Sequence, residues 1–116
     1  MSTRLLRLLA VVLAALAITA SAATAQTITG RISGTIADTS GGVLPGVAIT
    51  VLEEGTGFTQ TTVTDERGAY VLVNLPLGNY KVTAELQGFK PMARTGYVLQ
   101  ADGRITADFK MEVGQL

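Results

Sequence analysis

The sequence contains no cysteine, no histidine and no tryptophan. Without cysteine there is no disulfide framework, and without cysteine or histidine the usual zinc ligand sets are missing. A serine nucleophile would have no imidazole to activate it, so Ser33 and Ser40 read as outward strand and turn residues. Charge of either sign is also scarce, with 9 Lys+Arg against 9 Asp+Glu in 116 residues. There is no basic stripe, so nucleic acid and anionic lipid are excluded as partners by charge. Proline occurs three times and aromatic residues make up only 5%. The one long apolar run lies at the start of the chain.

That run has the anatomy of an export leader. Arg4 and Arg7 form a basic region, Leu8 to Ile18 an apolar stretch, and Ala23-Thr24-Ala25 a small-x-small cleavage site. The stretch is shorter than the roughly 20 residues a spanning helix needs. The expectation is a helical signal peptide over residues 1–25 and a single domain over 26–116, with no transmembrane span in the mature chain. Cleavage would leave 91 residues with a formal charge of −2. A chain of that size can close one core, burying on the order of 60–65% of its unfolded surface.

From Thr27 onward the pattern is period two, and no window has helical period. Ile28, Ile32 and Ile36 share a face with Gly30 and Gly34, whose missing side chains imply that something approaches closely there. Val47, Ile49 and Val51 read inward, while Glu53-Glu54-Gly55-Thr56-Gly57 reads as a solvated turn. Phe58 to Thr64 is threonine-rich and reads as an edge strand. Tyr70 and Leu72 alternate with Val71 and Val73, as if this strand were covered on both faces. Tyr80, Val82, Ala84 and Leu86 form a clear amphipathic strand. Residues 90–100 carry Pro91 and Gly96, the mark of an edge or a bulge. Ala101-Asp102-Gly103 reads as a hairpin-type turn, and Ile105, Ala107, Phe109 and Met111 alternate inward after it. About seven short strands at regular turn spacing predict an all-β fold, a seven-strand antiparallel β-sandwich or small barrel.

The turns carry the strongest local chemistry. In Thr64-Asp65-Glu66-Arg67-Gly68-Ala69-Tyr70, the Asp65 carboxylate is placed to bond backbone N–H groups and Gly68 to supply a positive φ. In Leu75-Pro76-Leu77-Gly78-Asn79-Tyr80, Pro76 pre-sets a turn and Gly78 tolerates a left-handed corner. A Ca²⁺ role for Asp65 and Glu66 lacks EF-hand spacing, and Gly41 to Gly46 has Val47 where a phosphate-binding lysine would stand. No catalytic, cofactor or metal residues are therefore assigned. Two surfaces remain as contact candidates. Phe89 and Tyr97, beside the weakest strand, offer rings to a sugar or peptide, whereas Tyr70 and Tyr80 read as core. Thr59 and Thr61, with Thr62, lie along the edge strand and offer it to a partner strand.

The succession Gly34-Thr35-Ile36-Ala37-Asp38, Gly42-Val43-Leu44-Pro45-Gly46-Val47, Thr64 to Tyr70, Leu75 to Tyr80 and Gly88-Phe89 resembles the carboxypeptidase regulatory-like domain, a transthyretin- or prealbumin-like sandwich. The likeness covers essentially all of 28–113. It implies a seven-strand Greek-key sandwich found beside metallocarboxypeptidase domains, in adhesive surface proteins, and ahead of the plug of TonB-dependent outer-membrane receptors. The leader favours the last setting, as does the tail Phe109 to Gln115, which looks like the exit toward a plug. The resemblance thus implies an exported, non-catalytic docking or support module, periplasmic or outer-membrane associated, or secreted. The alternative is an extracellular carbohydrate- or peptide-binding module using Phe89 and Tyr97.

Overall fold

The structure, a computed structural model, describes residues 2–20 and 28–114. The expected cleavage site and Gln26 lie outside the described residues. Helix α1 (Thr3–Ala20) carries Arg4 and Arg7 in its first turns and is mainly apolar beyond them, and its described side chains are exposed. No helix among the described residues is long and apolar enough to cross a membrane.

The rest of the described chain is the expected all-β sandwich. Its strands are β1 (Thr29–Asp38), β2 (Ala48–Glu53), β3 (Thr59–Val63), β4 (Ala69–Pro76), β5 (Gly78–Glu85), β6 (Met92–Leu99), β7 (Arg104–Thr106) and β8 (Phe109–Met111). One sheet runs β4-β1-β7 with β8 also on β1, and the other runs β3-β2-β5-β6. Alternation has done what a half-buried sheet requires. Ile32, Ile36, Val47, Ile49, Val51, Tyr80, Val82 and Met111 have no exposed surface, and Leu72 and Phe109 only 2%. Each fully buried aliphatic contributes roughly 1.5–3 kcal/mol before the entropy of ordering is set against it.

Four details differ from the sequence reading, each for a physical reason. Ile28 is exposed rather than inward, because β1 starts one residue later and nothing pairs with it. Val71 and Val73 are about half exposed, at 51% and 46%, because β4 is the sheet's edge and no layer covers its outer face. The turn at Asp102 closes no hairpin, because it carries the chain from β6 in one sheet to β7 in the other. The run from Ile105 to Met111 therefore enters beside β1 in the same direction, and its pairing there is parallel. All other pairings are antiparallel.

Two bulges set the register. Gly30 pairs with Leu75 and Ile32 with Leu72, so two residues of β4 oppose one of β1, with Asn74 at φ 57°. The extra residue shifts the phase of β4, which is how Tyr70, Leu72 and Leu75 can all point inward. The second bulge, opposite Lys81, contains Gly96 at φ 88° on the edge strand β6, where the sequence reading placed an edge or bulge.

The two inner glycines of β1 are where the layers come closest. A Cβ on Gly30 would stand 2.6 Å from the Leu99 side chain, and one on Gly34 would stand 2.1 Å from the Ala107 carbonyl oxygen. That carbonyl sits between β7 and β8, turned into the sandwich, and accepts a 2.5 Å hydrogen bond from the buried Tyr70 hydroxyl. The break in the last strand is patched by Asp108, whose Oδ1 accepts from Thr35 N at 2.8 Å. Burial pushes the Tyr70 phenol well above its ordinary value. The tail does not leave directly after β8, since Glu112 and Gly114 exchange backbone hydrogen bonds with Lys90 and Gly88.

Candidate functional site

Asp65 does what its turn asks of it. Its Oδ1 accepts from Arg67 N and Ala69 N at 2.9 Å each, and Gly68 takes φ 71°. Asp38 builds a second loop the same way, accepting from Ser40 N, Ser40 Oγ and Gly42 N. The Ser40 hydroxyl and the Gly42 amide hold the Asp38 carboxyl below its usual range.

Glu53 overturns the solvated-turn reading. Its residue is 4% exposed, the one buried carboxylate among the described residues. Oε2 accepts from Thr56 Oγ1 and Thr56 N at 2.6 Å each, and Oε1 from Gly55 N at 3.0 Å and Asn79 N at 3.3 Å. The Thr56 hydroxyl and the Gly55 amide hold its carboxyl below the usual value. One side chain thus ties the β2–β3 turn to the start of β5. The space for it comes from Gly78, where a Cβ would stand 2.5 Å from Oε1. Gly78 has φ 152°, so its role includes this vacated volume as well as backbone freedom. The sequence marked Gly78 only as a turn glycine, and the fold alone names what fills the space beside it. Tyr80 lies opposite Glu53 in the register, and its hydroxyl donates to Pro76 O, back along its own turn.

The stability consequence has a definite sign. Carboxyls lowered in the folded state stabilise it fully above their unfolded value, and that contribution is lost as pH falls through the folded value. Stability should therefore be flat near neutrality and fall below about pH 4. Glu53→Gln should lower the urea midpoint at pH 7, since an amide turns a donor toward donors, and should flatten the acid decline. A wild-type acid profile retained in this variant would show that Glu53 is not the group responsible.

Phe89 and Tyr97 are not brought together. Each is partly buried and packed against the core, Phe89 just ahead of β6 and Tyr97 near the far end of that strand. Phe89 bridges to Val113, and Tyr97 pairs with Tyr80. They form no shared platform. Thr59 and Thr61 do stand exposed on β3, with Thr61 Oγ1 3.3 Å from Thr50 Oγ1. Thr62 faces the other way and is half-buried.

The edges are unequal. Edge strand β4 is bulged at Asn74 and ends in Pro76, and β6 follows Pro91 and carries the Gly96 bulge and Arg94. The β7 and β8 segments are three residues each, with a break between them. These are the devices that blunt an edge against pairing. β3 has none: Thr59–Val63 is five residues without charge, proline or bulge. Glu53 N bonds Phe58 O and Thr64 N bonds Val47 O, so alternation turns the N–H and C=O groups of Thr59, Thr61 and Val63 outward.

Among the described residues, no group of three or more acidic, histidine or cysteine side chains could hold a metal ion. Compared with known proteins, the chain matches the carboxypeptidase regulatory-like domain over residues 31–112. It belongs to that family. This regulatory-like domain is also 36% identical over 109 residues to the TonB-dependent transporter Oar of Myxococcus xanthus, covering 93% of the chain and 10% of the transporter. The chain thus spans about a tenth of that relative's length. Among solved structures, the Bacillus anthracis TIE protein superposes with a TM-score of 0.62 at 19% identity, over 74% of this chain and 17% of that one. A streptococcal ancillary pilin gives 0.58 at 18%, over 78% and 34%. Acinetobacter radioresistens catechol 1,2-dioxygenase gives 0.62 at 12%, over 78% and 53%. These likenesses establish a shared sandwich fold for the regulatory-like domain.

Proposed function

We propose that the regulatory-like domain is an exported, non-catalytic docking module. It would be the amino-terminal extension of a TonB-dependent receptor or a free-standing periplasmic relative, working through strand β3 and the adjoining end loops. The single observation that carries this is the unguarded β3 edge beside three guarded ones. An outward row of backbone donors and acceptors pairs with any extended segment, and exposed side chains at Thr59, Thr61 and Val63 add selectivity. The resemblance to a TonB-dependent transporter supports an envelope setting. The ring-based sugar-binding alternative finds no support in the separated, half-buried Phe89 and Tyr97.

A photo-crosslinker at Thr61 should give a discrete adduct in the bacterial envelope, and one at Lys81 in mid-sheet should not. Adding Thr59→Pro should abolish the adduct without unfolding the domain, because that N–H bonds no β2 partner. No adduct from positions 59, 61 or 63 would sink the docking reading. Mass spectrometry of envelope material should find a mature chain beginning at Gln26, and an intact leader would contradict export with cleavage. Reading the gene past Leu116 separates the two forms: an open frame into a plug and barrel indicates the receptor.

A further inference from the structure

Arg31 on β1 and Arg104 on β7 are register partners in the parallel pairing. Both flank inward isoleucines, so both side chains leave the outer face, with their strands about 4.8 Å apart. Like charges side by side destabilise a sheet. Neither guanidinium has an ion-pair partner among the described residues, where the one salt bridge is Lys90–Glu112. This arrangement stands in a domain with nine acidic and seven basic residues after position 25, where a neutralising partner would be easy to place.

Both arginines line an open groove of about 440 Å³ together with Val73, Asn74, Asp102 and Gly103. Asn74 and Asp102, at φ 57° and 53°, are the two non-glycine residues of positive φ among the described residues, and both are in this wall. Asn and Asp are the side chains that tolerate this backbone, and here they set the β4 bulge and the turn from β6 into β7 that shape the groove. An arginine pair with no salt bridge, the β4 bulge and the β6–β7 turn therefore converge on one concavity.

We propose that this groove binds a carboxylate carried on a peptide segment, with Arg31 and Arg104 as its donors. The assignment rests on reading the domain as a docking module and names a chemistry for its partner. A planar guanidinium matches a carboxylate through two parallel N–H···O bonds. Val73, 46% exposed in the groove wall, offers contact to an aliphatic residue beside the acid. Asp102 opposes a doubly charged phosphate more than a singly charged carboxylate, which favours an acidic side chain over a phosphate group.

The test is an NMR titration of the purified, ¹⁵N-labelled full chain at low salt, with acetyl-Val-Glu-Val-amide, its Val-Gln-Val counterpart and inorganic phosphate as probes. The glutamate peptide should give saturable shifts at the Arg31 and Arg104 side chains and at the Asn74 and Gly103 amides, weakening as salt is added. The glutamine peptide should bind about tenfold more weakly, as should the glutamate peptide to Arg31→Gln or Arg104→Gln. Equal binding of the two peptides, no saturation in the millimolar range, or affinity surviving both substitutions would overturn the site. Phosphate binding more tightly than the glutamate peptide would overturn the carboxylate assignment. If the titration fails while the Thr61 cross-link persists, the groove is refuted and the docking reading stands. Loss of both refutes the two together.

Discussion

Gly34→Ala is expected to cost the domain about 3 kcal/mol or more, a large part of what a small sandwich has. The new methyl would lie 2.1 Å from the Ala107 carbonyl oxygen, which is backbone and cannot rotate away. Moving that carbonyl would disturb its bond from Tyr70 Oη, the Ala107 N to Ser33 O bond at 2.8 Å and the Asp108 patch on Thr35. The insertion therefore acts as overpacking and as loss of buried hydrogen bonds at once. Tyr70→Phe separates the two: it removes only the donor, leaves the buried carbonyl unpaired and should cost about 1–3 kcal/mol. Urea unfolding of both variants with an unchanged slope is the measurement. A Gly34→Ala midpoint equal to wild type would mean that the strand break does not sit where β1 needs its glycine.

Gly68→Val should be nearly as damaging, by roughly 2–4 kcal/mol, through a different combination of costs. At φ 71° a β-branched residue is strained by its own backbone. Its Cβ would also stand 2.6 Å from Ile36 O, which already accepts from Leu44 N, while Gly68 O accepts from Ile36 N. The turn is thus stitched to β1, and the glycine lets the two backbones meet. Comparison with Gly41→Ala isolates the two terms. Gly41 has φ 92° but nothing within 4 Å of a built Cβ, so only conformational strain of about 1 kcal/mol applies. Gly68→Ala should exceed it. Equal thermal shifts for the two alanine variants would remove the close approach to Ile36 from the account.

Much of the candidate surface was legible because its signals are local. The threonine run of β3, the Asp65 turn and the Gly96 bulge each follow from the conformational limits of a few adjacent residues. Glu53 was misread for the opposite reason. Two adjacent glutamates in a glycine-rich turn look solvated until Asn79 and Gly78, more than twenty residues on, are folded against one of them. Phe89 and Tyr97 looked exposed because their strand is weak, yet the core's edge takes up both rings. The arginine pair left no trace in the sequence, since 73 positions separate two residues that the topology makes neighbours.

By itself, then, the order of residues determined that the chain is an all-β fold, which face of most strands is apolar, and where the main turns require Asp, Pro or Gly. Those properties follow from the two-residue period and from φ limits that each residue carries with it. Only the tertiary structure decided the parallel seating of the last strand, the bulge that brings Leu75 inward, the burial of Glu53 and the meeting of Arg31 with Arg104. Each depends on which distant segment fills a given space, and excluded volume and hydrogen-bond satisfaction settle that only when the two sheets close.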